Sequence, residues 1–353
     1  MAGKRKYLQN LGKVGVVGAG SFGRAIANLL AHQCDVYIFT RREEYAREIN
    51  INHEVDGIKL SPRIEATTDL VKICRECTLI FPVVPANKFR ETIRTMGPYL
   101  NPGHILIHGT KGLDLVDVSY DEISRKSIRR ENIRTMSEVI LEESSVVRVG
   151  CLSGPNLSAE IIAGQPTASL IASPYDEVIQ VGQEALNSEL FHLFGSNELF
   201  GAELAGALKN IVAIGAGILA GKGLGKNMQA MLISRGLIEM IYFGQKMGAE
   251  PSVFLGTAGI GDLIATATST QSRNHIFGYR LGAGESYDEI MKSMPELAEG
   301  VRTLRISREL AKYYKLHVPI TFMLYSIVFE AYPIDKAINR IMKYPFAVDV
   351  DFL

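Results

Sequence analysis

The sequence predicts an α/β protein in two domains, an N-terminal doubly wound sheet of mostly parallel strands and a C-terminal all-α domain. Short, fully apolar segments alternate with helical or irregular stretches over roughly the first 190 residues, as in sheets whose two faces are covered by helices. From Glu203 onward, long segments carry apolar residues at helical spacing. We therefore expect a boundary between residues 196 and 197, which gives domains 1–196 and 197–353.

Length and composition are those of a globular protein without a dominant surface charge. The chain has 353 residues, of which 47% are hydrophobic and 22% are charged, and this length is sufficient for two hydrophobic cores. The 38 Lys and Arg residues balance the 38 Asp and Glu residues. A broad basic field that would collect nucleic acid or an anionic membrane is therefore excluded. Any anion must be bound by a local site.

Apolar runs predict the strands, and helical periodicity predicts the helices. The predicted strands are Val14–Gly18, Asp35–Thr40, Leu79–Val84, Ile105–His108, Val146–Leu152 and Ala168–Ala172. The predicted helices are Phe22–His32, Glu203–Leu219, Asn227–Met247, Arg302–Tyr314, Phe322–Glu330 and Asp335–Lys343. The run Leu204–Ala220 is long enough for a membrane span. Because Lys209 and Asn210 lie near its middle, a buried core helix is the better interpretation.

The N-terminal residues and the cysteines favour a cytoplasmic protein. The basic start of the chain is not followed by an apolar stretch and a cleavage site, so we expect no secretory signal. Four cysteines fit a reducing compartment. Cys74 and Cys77 form a CxxC motif, but no second ligand pair follows, and the motif precedes a strand instead of opening a helix. We expect neither zinc nor redox chemistry there, and the sequence offers no other cluster of metal ligands.

A glycine motif between the first strand and the first helix predicts a dinucleotide site. Gly18, Gly20 and Gly23 have the GxGxxG spacing, with Ser21 and Phe22 between them. In that context the first glycine permits a tight turn, the second lets the backbone approach a pyrophosphate, and the third allows close helix–strand packing. The N-terminus of the helix adds free N–H groups for the phosphates. A glycine turn without a ligand is the alternative, and the strand–turn–helix context favours binding.

The residues after the second strand favour NADP(H), or use of both cofactors, over strict NAD. Proteins selective for NAD carry Asp or Glu about twenty residues beyond the glycines, where it binds the ribose 2′-hydroxyl. Here that position is Thr40, followed by Arg41 and Arg42. No carboxylate is there to repel a 2′-phosphate, and two guanidinium groups are placed to bind one. Alternatively, the arginines are merely a solvated loop.

Lys209 is the strongest candidate for a catalytic group. It lies in a helix with almost no polar face, and Asn210 follows it directly. Burial lowers the pKa of an ammonium towards the range that is useful for proton transfer. Asp262, between glycines and aliphatic residues, is a candidate to pair with a buried lysine and orient it. The alternatives are a lysine that reaches the surface from a helix end and an aspartate that only caps a helix.

Further polar residues lie where a parallel sheet would bind a ligand. Lys111 directly follows the strand Ile105–His108, and the segment 153–156 follows another strand, so both lie at carboxyl ends that face the ligand crevice. In the second domain, Ser272, Arg273 and Asn274 precede a helical segment and predict a phosphate cradle, with a simple capped loop as the alternative. His108 and His275 are expected to be structural or peripheral.

Together these residues resemble one family, the NAD(P)-dependent sn-glycerol-3-phosphate dehydrogenases of the bacterial type. The resemblance runs in order along nearly the whole chain. It is carried by the segments Gly18–Gly23, Val84–Pro85, Thr110–Gly112, Leu152–Pro155, Pro166–Ala168, Ala207–Ile214, Ser234–Met240, Ala258–Leu263, Ser272–Asn274 and Glu299–Val301. So many ordered segments are far more specific than any one motif.

The resemblance implies a Rossmann domain and reversible hydride transfer between NAD(P)H and dihydroxyacetone phosphate, giving sn-glycerol 3-phosphate for phospholipid synthesis. It implies that Lys209 exchanges the proton and that Lys111, Asn210 and Asp262 frame the reacting oxygen. The phosphate would be held by Ser272, Arg273, Asn274, Gly154 and Asn156. The dinucleotide would be lined by Ser21, Phe22, Arg41, Arg42, Lys111, Ser158, Arg273, Leu297 and Glu299. It also implies a homodimer. From the residues and the balanced charge themselves we expect no metal, no membrane insertion and no nucleic-acid partner.

Three positions depart from the commonest pattern of that family, and two other classes of protein remain compatible with the residues. Phe22 stands where many members have Trp, and Ala86 and Asn156 replace hydroxyl residues. One alternative is another two-domain dehydrogenase, of the 3-hydroxyacid or 6-phosphogluconate kind. The other is a non-catalytic redox sensor, which would explain the glycine motif but not Lys209. Residues 115–147 are longer and more charged than the resemblance implies, and no function is assigned to them.

Overall fold

The computed structural model describes Tyr7 and residues 11–123, 126, 128–294 and 298–343. The chain divides into two compact units. The first unit comprises Met1–Asp114 and Thr135–Leu199, and the second comprises Leu115–Arg134 and Phe200–Leu353. The excursion 115–134 therefore leaves the first unit and folds with the second, which the sequence does not predict.

The first unit is built on one large sheet. The strands, in chain order, are β1 Val14–Val17, β2 Val36–Phe39, β3 Glu54–Val55, β4 Ile58–Lys59, β5 Ile64–Thr67, β6 Leu79–Pro82, β7 Ile105–His108, β8 Asp114–Leu115, β9 Ile133–Arg134, β10 Arg148–Ser153, β11 Thr167–Ala172 and β12 Phe191–Ser196. Eight of them form the sheet in the order β12-β11-β10-β7-β6-β1-β2-β5. Only the β10–β11 pair is antiparallel. The predicted doubly wound sheet is confirmed.

Helices cover both faces of this sheet. They are α1 Ser21–Ala31, α2 Glu43–Asn52, α3 Leu70–Glu76, α4 Ala86–Met96, α5 Met136–Glu143, α6 Ser158–Ile162 and α7 Asp176–Leu186. Successive strand residues alternate between two cores: Leu79 and Phe81 pack with α1 and α7, whereas Ile80 packs with α3, α4 and α5. Burial on both faces explains why these strands are continuous apolar runs in the sequence.

The six predicted strands are all in the eight-stranded sheet, and the two strands of that sheet that the sequence does not reveal are its edges. β5 and β12 alternate between buried and more exposed residues, because an edge strand is covered less completely than a central one. Neither strand is a continuous apolar run, so the pattern that reveals the central strands is missing. β1 lies between β2 and β6, where the strand order reverses, and ligands bind at the carboxyl ends of strands at such a point.

The second unit is helical, as predicted. Its helices are α8 Leu199–Gly221, α9 Lys226–Met247, α10 Asp262–Thr268, α11 Arg273–Gly282, α12 Tyr287–Ser293, α13 Glu299–Tyr314, α14 Pro319–Glu330 and α15 Ile334–Met342. Within the described residues, α8 is the one helix long and apolar enough to cross a membrane, and 89% of its apolar window is buried inside the protein. The sequence predicts the extent of five of these helices, indicates that helices begin near Asp262 and Ser272, where α10 and α11 lie, and does not predict α12.

Aromatic–cation contacts join the excursion 115–134 to helices of its own unit. β8 and β9 pair at its base, and Tyr120 lies against the guanidinium carbons of Arg305 and Arg302, 4.6 and 5.4 Å from its ring centroid. Arg130 lies 5.0 Å from the ring of Phe200. One charged residue of this excursion, Arg130, therefore packs against an aromatic ring.

A buried carboxylate caps α14 from the side of α9. Glu239 is 6% exposed and accepts hydrogen bonds from the backbone N–H of Ile320 at 2.6 Å and from the N–H and hydroxyl of Thr321 at 2.9 and 2.7 Å. The N–H groups of the first turn of a helix have no partner within the helix, and Glu239 supplies one. Burial raises the pKa of Glu239 from 4.5 to about 7, partly opposed by these hydrogen bonds.

We expect Glu239 to make the protein less stable as the pH rises from 4.5 to about 7. Because its pKa is raised by folding, the folded chain binds this proton more strongly than the unfolded chain does. The resulting stability is complete below pH 4.5 and is lost as the pH rises through about 7. Urea denaturation across this range measures the effect: the free energy of unfolding of the wild type should decline relative to that of Glu239→Gln.

Glu189→Gln, which changes an exposed carboxylate, is the matched control and should keep the pH dependence of the wild type. A free-energy difference between the wild type and Glu239→Gln that stays constant across the range would contradict the assignment.

Candidate functional site

The glycine turn after β1 has room for a ligand at one position and none at the other two. A Cβ added to Gly23 would lie 1.8 Å from the carbonyl oxygen of Gly18, and Gly18 has φ +123°, with the carbonyl oxygen of Val83 2.9 Å from an added Cβ. At Gly20, no atom lies within 4 Å of that point. Gly20 is the N-cap of α1, and no side chain caps the helix. An uncapped helix N-terminus facing open space fits a pyrophosphate.

Two predicted cofactor residues flank this turn. Ser21, the first residue of α1, is exposed. Phe22 lies against the end of β7, because a Cβ added to Gly109 would meet its ring at 2.5 Å. The aromatic face that the sequence places at this position is therefore held at the carboxyl edge of the sheet, next to Thr110 and Lys111.

The loop after β2 presents two exposed guanidinium groups. Thr40 is buried, and its hydroxyl accepts a hydrogen bond from the backbone N–H of Arg42 at 3.3 Å. Arg41 and Arg42 are both exposed, and the guanidinium carbon of Arg42 lies 3.1 Å from the centroid of the Tyr45 ring. Arg42 is therefore stacked on an aromatic face, which a merely solvated loop does not require.

Lys111 and the segment after β10 come together within the first unit. The ammonium of Lys111 donates to the carbonyl oxygen of Gly154 at 2.7 Å, and Gly154 has φ +120°. Within the described part of the chain, neither side-chain polar atom of Asn156 has a hydrogen-bond partner, although both are buried. An unsatisfied buried amide is costly, and a ligand oxygen would satisfy it. Ser158, half-buried, opens the short helix α6.

Lys209 is buried in the second unit and paired. It is 4% exposed, so it does not reach the surface from α8. Its ammonium donates to Asp262 Oδ1 and to Thr266 Oγ1, each at 2.5 Å. Asp262 is 1% exposed and is the first residue of α10, whose N-cap is Gly261. Its carboxylate therefore faces Lys209, as the pairing hypothesis predicts, and does not cap the helix.

Thr266 is the residue of this cluster that sequence reasoning missed. It follows Asp262 by four residues on α10, which places both side chains on one face of the helix. Its hydroxyl also donates to Asp262 Oδ1 at 3.3 Å. The i, i+4 spacing from Asp262 is the signal in the sequence, but Thr266 is also the first of several closely spaced hydroxyl residues, so no single one of them stands out.

Asn210 and Asn274 form a chain of hydrogen bonds that joins three helices of the second unit. Asn274 Nδ2 donates to Asn210 Oδ1 at 2.9 Å, and Asn274 Oδ1 accepts from the N–H of Gly300 at 2.8 Å. Both asparagines are buried. These hydrogen bonds link α8, α11 and the start of α13, where Glu299 precedes Gly300. Leu297, the remaining cofactor candidate, lies outside the described residues.

The predicted phosphate cradle is the N-terminus of α11. Ser272 is its N-cap and accepts the N–H of His275 at 3.3 Å, as the capped-loop alternative predicts. Arg273 is exposed at the first position of the helix, whereas Asn274 is buried. The capping of the helix and the phosphate role are compatible. The Ser272 hydroxyl accepts a hydrogen bond from its own helix and still has a hydrogen to donate, and Arg273 adds an exposed guanidinium group.

The cysteines carry no sign of redox chemistry. All four are buried thiols that are not joined in disulfides, and burial raises the pKa of the Cys74 and Cys77 thiols to about 12. Reactive cysteines have depressed pKa values. The CxxC motif is therefore part of the core beneath the sheet, where both residues pack with α4.

The predicted site residues thus fall into two sets, one in each unit. The glycine turn, Arg41, Arg42, Lys111, Gly154, Asn156 and Ser158 belong to the first unit. Lys209, Asn210, Asp262, Ser272, Arg273, Asn274 and Glu299 belong to the second. The first set combines an uncapped helix N-terminus with exposed guanidinium groups, and the second contains a buried ammonium with its counter-charge.

Comparisons with known proteins agree along nearly the whole chain. The family models for the N-terminus and the C-terminus of NAD-dependent glycerol-3-phosphate dehydrogenase match residues 13–179 and 198–339. A glycerol-3-phosphate dehydrogenase of Acinetobacter baylyi, named for NAD(P)+, is 38% identical, covering 97% of this chain and 92% of its own length. One of the same name from Teredinibacter turnerae is 37% identical, covering 96% and 97%. A crystal structure of glycerol-3-phosphate dehydrogenase from Coxiella burnetii has a TM-score of 0.84 at 30% identity, covering 95% and 99%.

We expect Asp262→Asn to lower the free energy of unfolding by about 3–5 kcal/mol, because it leaves the Lys209 ammonium buried without its counter-charge. Thr266→Val removes one neutral partner and should cost about 1–2 kcal/mol. Urea denaturation of the purified variants measures both changes.

Thr268→Val is the control on the same helix, since its exposed hydroxyl donates to the Ile264 carbonyl oxygen, and it should cost under about 0.5 kcal/mol. If Asp262→Asn were no more destabilising than Thr268→Val, Lys209 and Asp262 would not be a buried pair.

Proposed function

The chain belongs to the family of NAD-dependent glycerol-3-phosphate dehydrogenases, and from that membership we propose that it interconverts dihydroxyacetone phosphate and sn-glycerol 3-phosphate with NADPH or NADH. The product would feed glycerophospholipid synthesis. The observation that supports this assignment best is the buried Lys209, paired with Asp262 and Thr266. A ketone that accepts a hydride develops negative charge on oxygen, and a desolvated ammonium both stabilises that charge and supplies the proton.

The first unit would hold the dinucleotide. The uncapped N-terminus of α1 and the open space at Gly20 suit the pyrophosphate, and Gly18 and Gly23 keep the turn close to β6 and β1. Exposed Arg41 and Arg42 would grip a 2′-phosphate, which favours NADP(H). Ser21, Phe22, Lys111, Ser158, Arg273, Leu297 and Glu299 would line the remainder. The bound nicotinamide supplies the hydride.

The second unit would supply the proton and hold the substrate. In reduction, Lys209 Nζ gives its proton to the ketone oxygen, and in oxidation it takes the hydroxyl proton back. Asp262 and Thr266 orient the ammonium, and Lys111 adds a second positive charge beside the reacting oxygen. Asn210 accepts a hydrogen bond from Asn274, which fixes the position of α8 relative to α11.

The substrate phosphate would be bound away from the reacting carbon. Ser272, Arg273 and Asn274 at the start of α11 would hold it, with Gly154 and Asn156 from the first unit. The buried Asn156 amide, unpartnered within the described residues, supports this role because a phosphate oxygen would satisfy it. Binding energy from such a remote group fixes the ketone for reaction.

The remaining expectations concern the surroundings of the enzyme. We place domain 1–196 as the dinucleotide domain and domain 197–353 as the substrate and catalytic domain. The burial of most of α8 and the balanced charge support a cytoplasmic enzyme without membrane insertion or nucleic-acid binding. A homodimer is proposed by family analogy.

Two alternatives are less well supported. Another two-domain dehydrogenase of the hydroxyacid kind would also use a helical lysine, but the relatives that match over nearly the whole chain carry the glycerol-3-phosphate name. A non-catalytic redox sensor would need the glycine turn of the first unit, but it would have no use for the pairing of Lys209 with Asp262.

We expect Lys209→Met to lower kcat for reduction of dihydroxyacetone phosphate by about a thousandfold, since a general acid contributes about 10²–10⁴-fold. Binding of NADPH, followed by its fluorescence, should be retained because the dinucleotide residues are untouched. Because the single variant leaves Asp262 buried with one partner fewer, Lys209→Met with Asp262→Leu provides a second form of the protein that lacks both charges.

Lys246→Met, at an exposed position of α9, is the matched control and should keep wild-type kcat. Turnover of a 3-hydroxyacid in preference to sn-glycerol 3-phosphate by the wild type would favour the other dehydrogenase class. Undiminished turnover by a folded protein without Lys209 would remove the proposed proton donor, and no turnover by the wild type with any of these substrates would favour the sensor.

A further inference from the structure

A chain of four side chains runs through the first unit from α1 to the end of β2. It begins at Arg24, which lies in the first turn of α1 directly after the glycine motif. The side chain of Arg24 is only 6% exposed. The guanidinium of Arg24 donates to the carbonyl oxygen of Val55 at 3.0 Å and to Asp56 Oδ2 at 2.9 Å. A cation next to a phosphate-binding turn is therefore engaged by the turn between β3 and β4.

Asp56 connects that arginine to a tyrosine of α2. The hydroxyl of Tyr45 donates to both carboxylate oxygens of Asp56, at 2.7 and 2.6 Å. This hydrogen bond is the largest cause of a lowered pKa at Asp56, with a further contribution from Arg24. The carboxylate therefore stays ionised, and its charge is already compensated by Arg24 and the hydroxyl.

Tyr45 in turn supports Arg42. The guanidinium carbon of Arg42 lies 3.1 Å from the centroid of the Tyr45 ring, and its backbone N–H is held by Thr40 Oγ1. Both ends of Arg42 are therefore placed at the carboxyl end of β2. An exposed arginine ordinarily loses side-chain entropy when it binds an anion, and one that already lies on a ring loses less.

We propose that Tyr45, anchored through Asp56 to Arg24, is a positioning residue that sets the cofactor preference by holding Arg42 for the 2′-phosphate of NADP(H). This inference rests on the proposed binding of the cofactor at the end of β2. Asp56 does not oppose the phosphate, because Arg24 and Tyr45 engage its oxygens. Glu43 and Glu44 follow Arg42 in the first turn of α2, so the proposed preference depends on the placement of Arg42 and not on an excess of positive charge.

The test compares two ligands that differ by the 2′-phosphate, adenosine 2′,5′-bisphosphate and AMP, in isothermal titration calorimetry with the full-length protein. Tyr45→Leu, which removes the ring, should weaken binding of the bisphosphate by about tenfold and of AMP by less than about twofold, because only the bisphosphate uses the ordered guanidinium. Tyr45→Phe keeps the ring and loses the link to Asp56, and it should fall between the wild type and Tyr45→Leu. The ratio of kcat/KM for NADPH to that for NADH should fall in the same order.

Tyr99→Leu removes another tyrosine of the first unit that faces an arginine, Arg75 at 5.8 Å, and should change neither affinity. Equal weakening of both ligands by Tyr45→Leu would reveal a general structural role and overturn the inference, as would no change in either.

Arg42→Ala separates this inference from the proposed cofactor site. If Arg42→Ala abolishes the preference for the bisphosphate and Tyr45→Leu does not reduce it, the positioning role fails and the site stands. If Arg42→Ala leaves the preference intact, the proposed grip on the 2′-phosphate fails, and the inference fails with it.

Discussion

The ammonium of Lys209 lies in a helix from which water is almost excluded, and the helical unit depends on how that charge is compensated. Moving an ion of this size out of water costs several kcal/mol even after relaxation, so a partner with the opposite charge must be equally buried. Asp262 meets this requirement at 2.5 Å, and Thr266 accepts a second hydrogen bond at the same distance. An apolar pair of similar volume would serve stability as well or better, which is why this cluster is better understood as serving chemistry than as serving the fold.

In the first unit, by contrast with the buried ion pair of the second, close backbone contacts leave the candidate ligand site open to solvent. Gly23 has no room for a side chain because the Gly18 carbonyl oxygen lies where a Cβ would be, whereas Gly20 faces space that nothing fills. The turn is therefore tight where it meets the sheet and open where a phosphate would approach. The loop after β2 extends the same pattern, since Arg42 is exposed to solvent and yet is fixed on Tyr45. In the proposed reaction, the first unit would bind the anionic groups and the second would donate or accept the proton.

The sequence predicts the central strands, the long helices and the Lys209–Asp262 pair because each leaves a local mark. Apolar runs indicate strands that are covered on both faces. A lysine and an aspartate that each lie in apolar surroundings indicate that they pair with each other. Edge strands such as β5 alternate in burial and leave no such run. Thr266 as a partner of Lys209, and the packing of Tyr120 between Arg302 and Arg305, depend on contacts between segments that are distant in the chain. The link from Arg24 to Arg42 likewise depends on the turn at Asp56, and the spacing of residues in the sequence does not predict where that turn lies in the fold.

A crystal structure of the protein with NADP+ and sn-glycerol 3-phosphate bound would test the central proposal most directly. The distance to measure joins Lys209 Nζ to the oxygen on the substrate carbon that is oxidised. We expect hydrogen-bond contact between these two atoms, with Asp262 and Thr266 still holding the ammonium from behind. A substrate oxygen facing some other proton donor, with Lys209 separated from it by intervening side chains, would contradict the proposed chemistry.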